Sequence, residues 1–233
     1  MERVASFAWQ TPPPTSIDEE LVLYDDGSAW LVVRRPAADR ATMGTFAFTP
    51  DRAEFDRLVE DAPGSLVFDM LHVPGEMADL QSRARAMADA ARATPIAVAT
   101  FQSRPLGAPT ADQQLRVALA VVAAGQRAIE FELEPEHCAV HLSNMGQPVV
   151  WHEFPPLETG FITPDAEGLG GLRDRASVAP GQFGALVLAV PSQAGVSAIS
   201  IQAAGSLYDA LPDGDKPARF EIRTEEVDIG QPA

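Results

Sequence analysis

The chain has 233 residues, of which 46% are hydrophobic and 21% charged, and its 33 acidic against 17 basic residues leave a net charge of −16. That composition supports a sizeable core and excludes global disorder. The charge disfavours nucleic acid and anionic membrane as partners, since both are bound through dense Lys and Arg, and it points to another protein, conceivably a basic one, or to self-association.

The single cysteine, Cys138, excludes an internal disulfide and fits a reducing compartment. Residues 1–6 lack the basic start and long apolar stretch of a signal peptide. The longest apolar run, 117–124, is far below the roughly 20 residues that span a bilayer. A soluble, cytoplasmic protein is therefore expected. Lys216 is the only lysine among the bases, and with so much alanine this reads as a GC-rich bacterial coding sequence.

In chain order, residues 4–9 read as a strand and Pro12-Pro13-Pro14 as a stiff extended spacer. Segments 21–27 and 31–36 are apolar runs broken by Asp-Asp-Gly and closed by Pro36, a hairpin pattern. Residues 46–48 form a strand running into Thr49-Pro50-Asp51, which suits a helix start. Phe55, Leu58, Val59 and Ala62 then fall on one helical stripe. A strand at 66–68 precedes a second helix on which Met77, Leu80, Ala84, Met87 and Ala91 keep 3-4 spacing. Residues 96–102 close this unit as a strand.

The connector 104–109 is rich in Pro and Gly, and Thr110-Ala111-Asp112-Gln113 forms a capping box ahead of an expected helix over 114–124. Much of the same grammar then repeats. A strand at 129–134 leads to a hairpin at 140–146 and 150–155, and Phe161-Ile162-Thr163-Pro164-Asp165 echoes 46–51. Ala179-Pro180-Gly181 before 185–188 echoes Ala62-Pro63-Gly64 before 66–68, and a helix is expected on Val196, Ile199, Ala203, Leu207 and Ala210. Residues 219–227 close the second unit. The matches recur at offsets of 119, 114 and 117. They imply an α+β chain of two tandem, related units, 1–105 and 128–233, joined by a helical connector at 106–127. Each unit would be a mostly antiparallel sheet with one or two helices packed on it.

Strong catalytic motifs are absent. No Gly-Lys-Ser/Thr phosphate loop, Gly-x-Ser-x-Gly elbow or His-Glu-x-x-His helix occurs, and Gly168-Leu169-Gly170-Gly171 is only a fragment of a glycine-rich loop. What remains is a cluster: His137, Cys138, His141 and His152, with Glu153 beside the last. A hairpin turning tightly at Met145-Gly146 would set 139 against 152 and 141 against 150. His137, His141 and His152 would then share one sheet face, which makes a three-histidine zinc site conceivable. Against it, His137 and His141 lie about 13 Å apart along a strand, and exposed histidines on a polar face are the plainer outcome. A Cys138 nucleophile is disfavoured because its side chain points to the opposite, buried face. His72 stands where a strand ends, but the second unit offers no reactive counterpart.

The function expected from these features is non-enzymatic protein interaction, by a chaperone, an inhibitor of the immunity type or an assembly subunit with an acidic surface. The alternative is a metal-dependent or small-molecule enzyme that uses the hairpin 137–153.

Overall fold

The computed structural model describes residues 1–11, 16–36, 41–62, 64–69, 74–107, 114–153, 176–191, 195–214 and 217–229. In chain order the elements are β1 (Arg3–Thr11), β2 (Ser16–Tyr24), β3 (Ala29–Val33), β4 (Thr42–Phe48), α1 (Arg52–Asp61), β5 (Gly64–Asp69), α2 (Ala78–Ala91), β6 (Pro95–Pro105) and β7 (Gln114–Gly125). There follow β8 (Ile129–Leu133), β9 (Ala139–Asn144), β10 (Gln147–Glu153), β11 (Ala176–Val178), β12 (Phe183–Pro191), β13 (Ala198–Leu207), β14 (Ala218–Arg223) and β15 (Val227–Asp228).

Eight strands form the larger sheet in the order β12-β7-β6-β4-β3-β2-β1-β5. All pairings in it are antiparallel except β1–β5. The smaller sheet runs β10-β9-β13-β8-β11, with β14 and β15 also paired to β13. The two sheets pack face to face: Val32, Met43, Phe101 and Leu119 of the larger meet Phe131, Val140, Ile201 and Phe220 of the smaller in one buried cluster. Phe101, Phe131 and Phe220 stand within 5.6–6.3 Å of one another, centroid to centroid.

On the other face of the larger sheet α1 and α2 cover a second cluster that includes Phe7, Trp9, Leu21, Leu31, Phe55 and Met87. The layers are thus helices, sheet, sheet. The Asp51 carboxylate caps α1 by accepting from the backbone N–H of Ala53 and Glu54 at 3.0 and 3.3 Å. The helix therefore starts two residues beyond the threonine that the Thr-Pro-Asp pattern suggests.

This is a β-rich molecule and not the balanced α+β build expected. The helix expected over 114–124 is β7, and the one expected on Val196 to Ala210 is largely β13. In β7 the residues that join the core between the sheets are Leu115, Val117, Leu119, Val121 and Ala123, a period of two, with Ala118 also buried on the other face. In β13 Ile199, Ile201, Ala203 and Leu207 join that core, while Ser200 and Ala204 between them are buried as well. Alanine on both faces lets such segments also match a 3-4 spacing, and tertiary pairing decides. Gly205 carries the same lesson: a Cβ there would sit 1.9 Å from the Glu132 carbonyl oxygen. The crossing is that of a central strand at close approach.

No α-helix occurs among the described residues after position 128, only a single 3₁₀ turn at Pro135–His137, and β12 pairs with β7 in the larger sheet. The repeat at 161–165 lies outside the described residues.

Arginines consume the acids nearest the core. Glu19, facing the helices, binds Arg85 and Arg92, each at 2.6 Å. On the other side of β2, Glu20 binds Arg3 and Arg34, and Arg35 lies 3.9 Å from Asp18. Arg35 also binds Glu221 of β14, and Arg3 and Tyr24 both donate to Asp213. These contacts fasten the first sheet to the second.

Candidate functional site

The hairpin of β9 and β10 turns at Met145 and Gly146, both at positive φ (48° and 77°), as a two-residue primed turn requires. Its first pairs, Asn144 with Gln147 and Ser143 with Pro148, follow the register expected from the sequence. A bulge between Pro148 and Val150 then shifts the ladder by one, pairing Val150 with Leu142, Trp151 with His141 and His152 with Val140. Proline has no N–H for the ladder, and a bulge is where a strand accommodates it.

One residue of slip exchanges the faces. Trp151, 60% exposed, stands beside His141 on the outer face of the smaller sheet, while His152 joins Val140 on the opposite face. The structure therefore does not bring His137, His141 and His152 together. His152 keeps its Nε2 buried without a hydrogen-bond partner among the described residues. His137 ends a single 3₁₀ turn, its Nε2 3.9 Å from Glu134. His141 Nε2 lies 3.3 Å from Gln202 Oε1. Burial, reinforced by the Arg223 guanidinium, lowers the His141 pKa despite that hydrogen bond. No group of three or more His, Cys, Asp or Glu among the described residues is placed to hold a metal ion. His72 lies outside the described residues.

Cys138 is buried, bonded to the carbonyls of Glu134 and Ala204 at 3.3 and 3.5 Å, and accepts from the Ala204 N–H. Burial pushes its thiol up to about 11, so it is neutral near pH 7 and a poor nucleophile. A shallow depression of about 420 Å³ lies over this face, lined by His137, His141, Trp151, Gln202, Arg219 and Glu221 among others. Its polar groups are largely spent on each other: Gln202 donates to Glu221 at 3.3 Å, and Arg219 binds Glu134 at 3.2 Å. Such a network stabilises a sheet surface and aims little at a ligand.

The larger sheet offers a different kind of feature. Two helices side by side cover about 20 Å, whereas eight strands at their usual spacing span about 34 Å. The end formed by β7 and β12 accordingly lies outside the helix-covered cluster. On this bare face Phe183 is 57% exposed, and Val122 and Val187 are each 41% exposed. Ala120 and Ala185 pair between them. Strands β6, β7 and β12, of 11, 12 and 9 residues, contain no Asp or Glu, although 33 of the 233 residues are acidic. Their only charged residues are Arg104 and Arg116. Beyond β12 no strand among the described residues continues the sheet.

Sequence reasoning missed this end because it assigned 185–188 to a separate second unit. The charge-free run Phe183-Gly-Ala-Leu-Val-Leu-Ala-Val-Pro191 was the signal that could have marked it.

No family model matches the chain, and no curated protein matches it. A partly similar solved structure is the crystal structure of a Bordetella pertussis protein provisionally named ApaA, with 13% sequence identity and a TM-score of 0.35. The match covers 60% of this chain and 98% of that one. A likeness so remote bears on neither fold nor function. No helix among the described residues is long and apolar enough to cross a membrane.

Proposed function

We propose that this chain is a protein-interaction module that binds another polypeptide through the β7–β12 end of its larger sheet. The observation that carries the reading is an edge strand of nine residues without a charged side chain, flanked by exposed Phe183, Val187 and Val122. Edge strands are templates for a further strand, and proteins that keep theirs unoccupied blunt them with charges, bulges or proline. Here only Pro191, the last residue, does so. Contiguous exposed apolar surface of this kind marks interaction sites. The acidity found elsewhere on the chain, outside this end, discourages contacts with phosphate-rich or anionic surfaces. The contact itself is largely apolar and free of carboxylates, with Arg104 and Arg116 its only charges.

The test is photo-crosslinking in cells that make the protein, with a benzophenone side chain in place of Phe183 and, as control, in place of Glu60 on α1. A crosslinked polypeptide at 183 and not at 60 is expected. Absence of any adduct at 183 overturns the reading.

A further inference from the structure

We infer that the polypeptide at this end is a second copy of the same chain, with β12 paired antiparallel to its own equivalent across a two-fold axis. This rests on the reading just given and names its partner.

The backbone supplies the first reason. Gln182 accepts from the Ala123 N–H of β7, and the β12–β7 ladder then runs without a register shift from Phe183 to Pro191. In a regular antiparallel ladder the N–H and C=O of one residue point the same way and alternate along the strand. The even-numbered residues therefore bond β7. The N–H and C=O groups of Phe183, Ala185, Val187 and Ala189 point to the side where no strand among the described residues pairs, with Pro191 adding only a carbonyl.

A strand that fits this edge must offer its own outward groups at the same alternation, and a second β12 does. With Val187 on the axis, Ala185 meets the other copy's Ala189 and Phe183 its Pro191, and all nine residues overlap. Every pair then has matched faces: exposed side chains adjoin exposed ones, and buried Leu186 adjoins buried Leu188. Registers that set odd positions against even ones would bring core side chains opposite surface ones. Such self-complementarity is what an isologous two-fold contact requires.

Charge supplies the second reason. Two chains of −16 repel wherever their carboxylates meet. Strands β6, β7 and β12 form a broad surface without one, and its only charges, Arg104 and Arg116, are of the sign opposite to the rest of the molecule. Pairing this end with its own equivalent therefore keeps the carboxylates of the two copies apart. Pairing also extends this face without a break: Phe183, Val187 and Val122 of one copy continue into those of the other.

The test uses the purified full chain in sedimentation equilibrium from about 1 to about 200 µM, a range that reveals even weak association by mass action. A monomer–dimer equilibrium is expected. Val187→Lys sets two lysines directly opposite each other at the axis, their Cα atoms about 5.5 Å apart, and should weaken association by at least about tenfold. Ala189→Pro removes an outward N–H without touching the β7 ladder and should act in the same direction. Val187→Thr, similar in shape and also β-branched, should stay within about threefold of the parent.

Hydrogen exchange on the unaltered protein needs no variant. Amides of 185, 187 and 189 should become protected as concentration rises, while those of the even positions should not change. A monomer at every concentration, or a dimer that neither variant weakens and that leaves these amides unprotected, overturns the inference. The two readings fail separately. A monomer whose residue 183 crosslinks to a different polypeptide leaves the interaction module standing and removes only the second copy; a monomer with no adduct removes both.

Discussion

On the helix side of the larger sheet, β1 to β4 present Phe7, Trp9, Leu21, Leu31 and Phe46, whereas β7 and β12 present Ala118, Ala120, Val122, Ala185 and Val187, with the larger Phe183 and Arg116 towards the strand ends. The strands alternate by the same rule and belong to one sheet, yet one end lies under two helices and no helix among the described residues covers the other. Large side chains stand up from a sheet and need a layer with grooves to receive them. Small ones leave a nearly flat surface that a helix would cover poorly. The difference teaches that the bare end is no unfinished core.

The largest effect should come from the covered end. Phe7 is fully buried and stacks on Phe68 at 6.4 Å. Phe7→Ala should destabilise the fold by about 3–5 kcal/mol through lost burial and the cavity left behind. Val122→Ala at the bare end, with a side chain already 41% exposed, should cost below about 1 kcal/mol. Urea midpoints of the two variants measure the contrast, and equal losses would dissolve the comparison.

Next in size is the clamp that holds α2 to the sheet. Glu19 is nearly buried and shared by Arg85 and Arg92, while both arginines remain partly in solvent. Arg85 also lies over the Trp9 ring at 5.2 Å. Glu19→Ala should cost about 1–3 kcal/mol, less than a fully buried pair because the arginines can rehydrate. The same measurement checks it. A neutral outcome would mean that apolar packing alone seats the helix.

Much of the covered end was legible in the sequence, and the bare end was not, for a physical reason. The stripe Phe55–Leu58 and the spacing Leu80, Ala84, Met87, Ala91 have large residues on one face only, so a single period fits them. The hairpin of β2 and β3 announces itself through Asp25-Asp26-Gly27. In β7 and β13 alanine and glycine stand on both faces, so a period of two and one of 3.6 describe them equally well. Only the partner strands choose between the two. That β12 joins the first sheet depends on contacts some 60 residues back in the chain, which no local pattern carries. The histidine face failed at a smaller scale. The turn at Met145-Gly146 was readable, but the bulge beside Pro148 moved His152 across the sheet.

A smaller effect tests how the two sheets are joined beside the covered end. Burial alone would raise the Asp213 carboxyl, but hydrogen bonds from Arg3 and Tyr24 outweigh it and hold the pKa below the ordinary aspartate value. A carboxylate depressed by folding contributes stability above its unfolded pKa, near 4, and loses it as pH falls through the folded value. Asp213→Asn should therefore be less stable than the parent at about pH 7, and the gap should close towards about pH 3. A gap that stays constant with pH would show that the charge contributes nothing.

The smallest effect on the fold, and the most telling for the comparison, belongs to Phe183→Ser. Phe183 is 57% exposed at the start of an edge strand, so in dilute protein the substitution should change stability by no more than about 0.5 kcal/mol. Its consequence should emerge with concentration. If the bare end is covered by another copy, association stabilises the folded parent by mass action, and the parent's melting temperature should rise as the protein is concentrated. The variant, having lost an aromatic group beside the paired edges, should show a flatter rise. At the covered end the reverse holds: Phe7→Ala should lower the melting temperature by nearly the same amount at every concentration, because its contacts lie within one chain. A Phe183→Ser variant as concentration-dependent as its parent would place the association elsewhere, and the bare end would then be an exposed surface without a demonstrated partner.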